Sequence, residues 1–417
     1  MLNLVDYPSQ QTLNLRKRSS IKVKPLKIIL YSHDTMGLGH KRRNILIAQA
    51  LASSALPTEI LLITGSHTAS DFIKTSGIDC LALPELFKTT DGVYKSKNLN
   101  LSFKQITQLR SQIIKETVIQ FKPDVLITDN IPRGAGKELN PTLKYLKGKE
   151  KTYCILGLRD ILDQPEIVAR DWQNVKNEKA IRKYYDEIWV YGDSAIYDIR
   201  QQYNFAPDIV NKINYVGYLD QRPRMKYFLS NNHKTLNNFG LPLGKFALCL
   251  LGGGQDGTKL AHAFVQAKFP EDMVGVLVTG PLMAIEERQK LYNYVSEHQH
   301  LFLIDYLPEP TLLLAQAERV IAMGGYNTTC EVLSFQKKAL ILPRIKPRLE
   351  QFIRAKIFQD LGLIDMIHPE EINSQSLSKW LHLENDSHHS NYNIDFNGCD
   401  RLVKMLEDRF FLSTIAS

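Results

Sequence analysis

Two glycine clusters carry the clearest chemical signal in this chain. They are Gly252-Gly253-Gly254-Gln255-Asp256-Gly257 and Met323-Gly324-Gly325-Tyr326-Asn327-Thr328-Thr329-Cys330-Glu331. Each follows an apolar, strand-like run (Phe246 to Leu251, Arg319 to Ala322) and opens a run of helical character. Glycine lets backbone N–H groups approach a ligand closely, and the first turn of a helix carries unpaired N–H groups and a partial positive charge. Two such turns in one stretch of chain predict a grip on a diphosphate-bearing ligand. Neither cluster has the Gly-x-x-x-x-Gly-Lys-Ser/Thr pattern, so a P-loop is excluded, and neither is a clean Gly-x-Gly-x-x-Gly. Gly253, Gly254, Gln255, Gly324 and Gly325 are the donor-side candidates, with Asn327 and Thr328 able either to cap the second helix or to donate to a phosphate. Glu331 can accept from a ribose diol or simply complement the helix dipole.

A third loop, Ser32 to Arg43, follows the first apolar run and contains Gly37, Gly39 and His40. The glycines permit a tight turn, and His40 starts a helix whose N-terminus disfavours imidazole protonation. Neutral imidazole suits a general base for a hydroxyl; the alternative is a cap or a bond to a backbone carbonyl. Asp129 ends another apolar run, with Arg133 close behind, and Arg159-Asp160 ends the next. These carboxylates are able to serve as base or to cap the following helix. Arg344, Arg348, Glu350, Gln351 and Arg354 form a charged run after a strand and a proline, at the same end of the sheet as the glycine turns. There is no Asp-x-Asp pair for a divalent cation, so no metal is expected, and no Gly-x-Ser-x-Gly elbow or HExxH appears.

Short apolar runs alternating with helical segments must position these turns. They fall at 27–31, 59–63, 78–83, 124–127, 152–156 and 187–191, then again near 246–251, 274–279, 301–305, 319–322 and 339–342. Continuous apolar runs of this length, separated by helices, predict a parallel sheet covered on both faces. At 417 residues, two such domains are expected. The fold class is therefore α/β, two Rossmann-like domains facing across a cleft. The boundaries read as a flexible basic arm (1–25), an acceptor domain (26–218), a linker (219–243), a donor domain (244–395) and a final amphipathic helix (396–417). Ligands of open α/β sheets bind outside the strand carboxyl ends, so the cleft is the expected site.

Composition adds bounds. With 44% hydrophobic and 23% charged residues the chain is of ordinary globular type, and it has no apolar run of membrane-helix length or export signal. Five scattered cysteines form neither a disulfide framework nor metal spacing, which fits a reducing cytoplasm. Residues 1–27 hold six basic residues against Asp6 alone. Two readings stand for this arm: a solvated tail, or a contact with an anionic membrane surface at the inner face. No nucleic-acid motif accompanies the charge, so no nucleic-acid partner is expected.

The ordered set of turns resembles the GT-B glycosyltransferases of the family 28 type, over nearly the whole chain from residue 26 and most strongly over 246–366. The resemblance implies transfer of a hexose-type sugar from a nucleoside-diphosphate sugar, UDP-linked, to a hydroxyl acceptor by inverting, metal-independent displacement, with no cofactor. It implies that Glu331 binds the ribose, Leu303-Ile304-Asp305 line the base, Gly253, Gly254 and Gln255 hold the diphosphate, and Gln351 reaches the sugar. Gly37-Leu38-Gly39-His40 matches the acceptor-side loop, with Arg133 and Arg159 beside it, and a lipid-linked acceptor fits the same resemblance. Leu38 interrupts the family's Gly-Gly pair, and Arg159-Asp160 stands where a His-Glu pair is usual, so His40, Asp129 and Asp160 all remain as candidate bases. A sugar-nucleotide epimerase on the same fold and a non-catalytic nucleotide-sugar-binding subunit are the competing readings. A nicotinamide dehydrogenase is disfavoured, because Ile63-Thr64-Gly65 stands where an acidic residue should end the second strand.

Overall fold

The apolar runs become parallel strands buried on both faces. In β1 (Leu26–Ser32), Ile28 and Leu30 enter one core cluster while Ile29 and Tyr31 enter another on the opposite face. That two-sided burial is why the run reads as continuous rather than alternating. A computed structural model describes residues 24–34, 39–66, 75–88, 94–149, 151–229, 244–307, 309–384 and 392–411. The basic arm up to residue 23, Gly37, and most of the expected linker (230–243) lie outside these.

In the first domain β1 is followed by β2 (Thr58–Thr64), β3 (Ile78–Ala82), an antiparallel hairpin of β4 (Leu86–Lys88) and β5 (Tyr94–Ser96), β6 (Val125–Asp129), β7 (Tyr153–Arg159), β8 (Glu187–Tyr191) and β9 (Ile213–Tyr215). Its seven-stranded sheet runs β3-β2-β1-β6-β7-β8-β9, with every pair parallel. The second domain holds β10 (Lys245–Leu250), β11 (Met273–Val278), β12 (Leu301–Ile304), β13 (Arg319–Met323), β14 (Lys338–Leu342) and β15 (Asp365–Met366). These form a parallel sheet ordered β12-β11-β10-β13-β14-β15. In each sheet the first strand sits centrally and the order reverses beside it, which places a crevice at its carboxyl end. The architecture is α/β with two Rossmann-like domains, as the sequence predicts.

The two domains share apolar contacts. One core cluster runs from Ile28 and Leu30 in the first to Leu248 and Val320 in the second, by way of Tyr218, Leu219, Tyr326 and Phe358. The helix Gly398–Phe410 packs against the first domain's helix Gly39–Ala52. Arg409 lies 3.4 Å from the centre of the Tyr153 ring, which anchors the far end of that helix. The expected linker is partly helical, at Arg224–Leu229.

Candidate active site

The start of the helix after β1, the carboxyl ends of β7, β10, β11 and β13, and the segment after β14 converge on a cleft of 390 Å³. On the first domain's side stands His40, second residue of the helix Gly39–Ala52, with one-fifth of its side chain exposed. Its Nδ1 meets Asp129 Oδ2 at the end of β6. Arg43, one turn further along the same helix, forks onto that carboxylate, with Nε at 3.0 Å from Oδ1 and Nη2 at 2.6 and 2.8 Å from the two oxygens. Burial pushes the Asp129 carboxyl up, but Arg43 and then His40 outweigh it and hold it well below the usual carboxylate range. An ionised carboxylate only accepts, so Nδ1 carries the proton and Nε2 is the basic nitrogen.

Across the cleft the donor-side turns present backbone donors. Gly254 has φ +88°, and a Cβ there would lie 2.4 Å from the Thr279 carbonyl oxygen, so only glycine fits. Gly280 crosses the same loop, where a Cβ would stand 2.3 Å from Gly252 O. In the helix Tyr326–Ser334 the first helical bond runs from Thr329 N–H to Gly325 O at 2.9 Å. The N–H groups of Tyr326, Asn327 and Thr328 therefore stand free of the helix ladder at the cleft, and nothing lies within 4 Å of a Cβ on Gly325. The Gln351 side chain accepts from Arg344 N–H at 3.0 Å, and both residues border the cleft.

Two buried ion clusters join the domains. Arg42 donates through Nη2 to Glu309 and Glu331 and, at 3.2 Å, to Thr311 Oγ1. Arg224 donates to Glu309 at 3.0 Å and to the Arg42 carbonyl. Burial raises the Glu309 pKa, but Arg42 and Arg224 override it and bring it down to about 2. In the second cluster Arg354 clasps Asp160 with Nη2 at 2.7 Å and Nε at 2.9 Å, both side chains 1% exposed. Arg159 reaches Glu350 at 3.0 Å, and Arg348 reaches Asp163 at 2.9 Å. Tyr326, first residue of the donor-side helix, lies between Arg43 and Arg354, with guanidinium-to-ring distances of 5.4 and 5.6 Å. Among the described residues no group of three or more His, Cys, Asp or Glu could hold a metal ion. No described helix is long and apolar enough to cross a membrane.

No family model matches the chain. Curated proteins do. The UDP-N-acetylglucosamine–N-acetylmuramyl-(pentapeptide) pyrophosphoryl-undecaprenol N-acetylglucosamine transferase of Geobacillus thermodenitrificans is 26% identical over 182 residues, 41% of this chain and 47% of that protein. The protein of the same name from Geobacillus kaustophilus is 28% identical over 149 residues, 33% and 39% of the two chains. The chain thus spans less than half the length of these curated relatives. Among solved structures, MurG of Acinetobacter baumannii superposes with a TM-score of 0.54 at 11% identity, covering 92% of this chain and 100% of that one. The UDP-GlcNAc 2-epimerase of Methanocaldococcus jannaschii gives 0.61 at 13%, covering 92% and 100%. The fold is GT-B, and the sequence relatives are of the family 28 type.

Within this GT-B frame most of the expected residues meet at the cleft. Gly39, His40 and Arg159 border it from the first domain, and Gly253, Gly254, Gln255, Gly325, Asn327, Thr328 and Gln351 from the second. Others do not. Asp160, expected as an alternative base, is buried at the domain junction with its carboxylate clasped by Arg354 and met by Tyr218 OH at 3.2 Å. Its place is that of an interdomain anchor. Ile304 ends β12, with its carbonyl accepting from Thr279 N–H at 3.1 Å, and does not border the cleft; Tyr306 and Leu307, just beyond it, do. Gly324 is covered by Ile341 and Gln351. Arg133 lies off the cleft, half-buried, with its Nε unpartnered. Glu331 is fully buried, one oxygen held by Arg42 and by Thr311 Oγ1 at 2.8 Å, the other without a partner. Sequence reasoning assigned no role to Arg42 and Arg43. Their signal was position: they lie two and three residues beyond His40, on a helix that begins at the cleft.

Proposed function

We propose that the protein is a glycosyltransferase that moves a hexose-type sugar from a UDP-sugar to a hydroxyl acceptor by an inverting displacement that needs no metal. The observation that carries this reading is His40, backed by the buried Asp129, on one wall of a cleft whose other wall presents the Gly253–Gln255 loop and the open helix end at Gly325–Thr328. One wall is built to take a proton and the other to receive negative charge. The names of the curated relatives support UDP and N-acetylglucosamine as the donor class, and an acceptor linked to a lipid diphosphate.

In the proposed step His40 Nε2 removes the acceptor hydroxyl proton, and the resulting imidazolium is stabilised by Asp129. The acceptor oxygen bonds to the anomeric carbon from the face opposite the leaving group. The bond from that carbon to the diphosphate oxygen breaks, and its electron pair leaves with the nucleoside diphosphate. The charge is met by the backbone donors of the two glycine turns.

The test is a thermal-shift panel of UDP, GDP, dTDP and NAD, followed by transfer assays with the UDP-sugar that binds. Selective stabilisation by UDP and acceptor-dependent UDP release are expected. His40→Ala is expected to lower turnover about 10²–10⁴-fold, with UDP affinity unchanged. An isomeric sugar nucleotide formed without acceptor would establish an epimerase instead. Equal loss of UDP affinity and turnover in His40→Ala would refute its role as base.

A further inference from the structure

Four arginines border the cleft: Arg42, Arg43, Arg159 and Arg344. They differ in how firmly they are held. Arg42 and Arg43 are buried, the first in a four-charge cluster and the second forked on Asp129. Arg159 pairs with Glu350, a carboxylate only 8% exposed. Arg344 is different. Its guanidinium donates to Asp256 at 2.9 Å and helps to hold the Glu350 carboxyl down from nearby, and the side chains of Arg344 and Asp256 are 35% and 44% exposed. Exposed pairs of this kind separate readily, whereas a charge in a buried pair cannot leave without stranding its partner.

The place of that pair matters. Asp256 belongs to the glycine loop after β10, and Arg344 follows β14 with its N–H bonded to the Gln351 side chain. The bridge therefore ties the glycine loop to the 343–351 segment, at the cleft that the free N–H groups of Tyr326, Asn327 and Thr328 also border. Nε and Nη2 of Arg344 have no protein partner among the described residues. A guanidinium with a free edge matches two phosphate oxygens at once.

We propose that Arg344 is a mobile clamp for the diphosphate, and that Asp256 holds it ready while the site is empty. The proposal rests on the glycosyltransferase reading and deepens it. In the empty cleft Arg344 also masks the Asp256 carboxylate, which would otherwise repel an incoming diphosphate. When donor binds, the guanidinium turns from Asp256 onto the phosphate oxygens. As the anomeric carbon–oxygen bond breaks, the diphosphate gains one negative charge, and the same guanidinium takes it up. Asp256 competes for the arginine again after transfer, which favours release of the nucleoside diphosphate.

Calorimetric titration with UDP and with uridine tests this on the full chain. Arg344→Met is expected to weaken UDP roughly tenfold or more and to leave uridine unchanged, since uridine has no phosphate. Arg344→Lys should recover part of the loss, and Asp256→Asn should tighten UDP. Both side chains are at least a third exposed and pair only at the surface, so the variants are expected to keep the wild-type melting temperature. Equal weakening of UDP and uridine in Arg344→Met would show a structural role and overturn the clamp, as would unchanged UDP affinity. Failure of the wild-type protein to bind UDP would overturn the clamp together with the UDP-sugar reading, whereas UDP binding that is indifferent to Arg344 removes the clamp alone.

Discussion

Replacing Arg42 by methionine removes one cation from a buried cluster and should move stability and nucleotide affinity in opposite directions. Arg42 is 7% exposed, and the two glutamates it serves, Glu309 and Glu331, are 4% and 0% exposed. Without it, Arg224 still meets Glu309, but Glu331 keeps only the Thr311 hydroxyl at 2.8 Å. Breaking a buried ion pair costs about 3–5 kcal/mol, and the surviving partners place the expected loss near the lower end. If Glu331 receives both hydroxyls of the ribose, one on each oxygen, the nucleotide must displace Arg42 from the oxygen it holds, the other being without a partner. A hydrogen bond to a charged group is worth about 1.5–3 kcal/mol, and the wild-type protein sets that against binding. Arg42→Met does not, so UDP should bind about tenfold to a hundredfold more tightly, at 1.4 kcal/mol per decade. Urea melts and calorimetric titration on the same preparation measure both quantities. A folded, less stable variant with unchanged or weaker UDP affinity would refute the exchange, because a structural lesion alone weakens both.

Two further outcomes are expected. Asp160→Asn leaves Arg354 with Glu350 as its remaining carboxylate, at 3.2 Å, and should destabilise the protein toward the lower end of about 3–5 kcal/mol in urea melts, with a smaller loss of turnover than Asp129→Asn. A larger loss of turnover at unchanged stability would restore Asp160 as base. The Glu309 pKa is lowered in the folded state, so its contribution is complete at neutral pH. It is lost as pH falls from the ordinary glutamate range of about 4.3 through about 2. Thermal melts should therefore drop steeply over that window, and Arg42→Met should flatten the drop.

Much of the fold was legible because a parallel strand covered on both faces has to be a continuous apolar run. The run at Phe246 to Leu251 becomes β10 (Lys245–Leu250), and the run at 339–342 becomes β14. The strands that escaped are those too short to make such a run: the hairpin of β4 and β5 and the edge strand β9, three residues each, and β15 with two.

By itself, the sequence determined the two-domain α/β architecture, the glycine turns and the position of His40, because each depends on local chemistry: apolar runs, left-handed backbone, a helix start. It could not choose between Asp129 and Asp160. Both end a strand and precede a turn, so their local contexts are alike. Tertiary structure separated them. The helix that carries His40 also brings Arg43 onto Asp129, while Arg354 arrives from the other domain, 194 residues along the chain, to bury Asp160. Glu331 and Arg42, 289 residues apart, meet for the same reason. The role open to a charged side chain depends on which opposite charge folding places beside it, and that partner is distant in sequence.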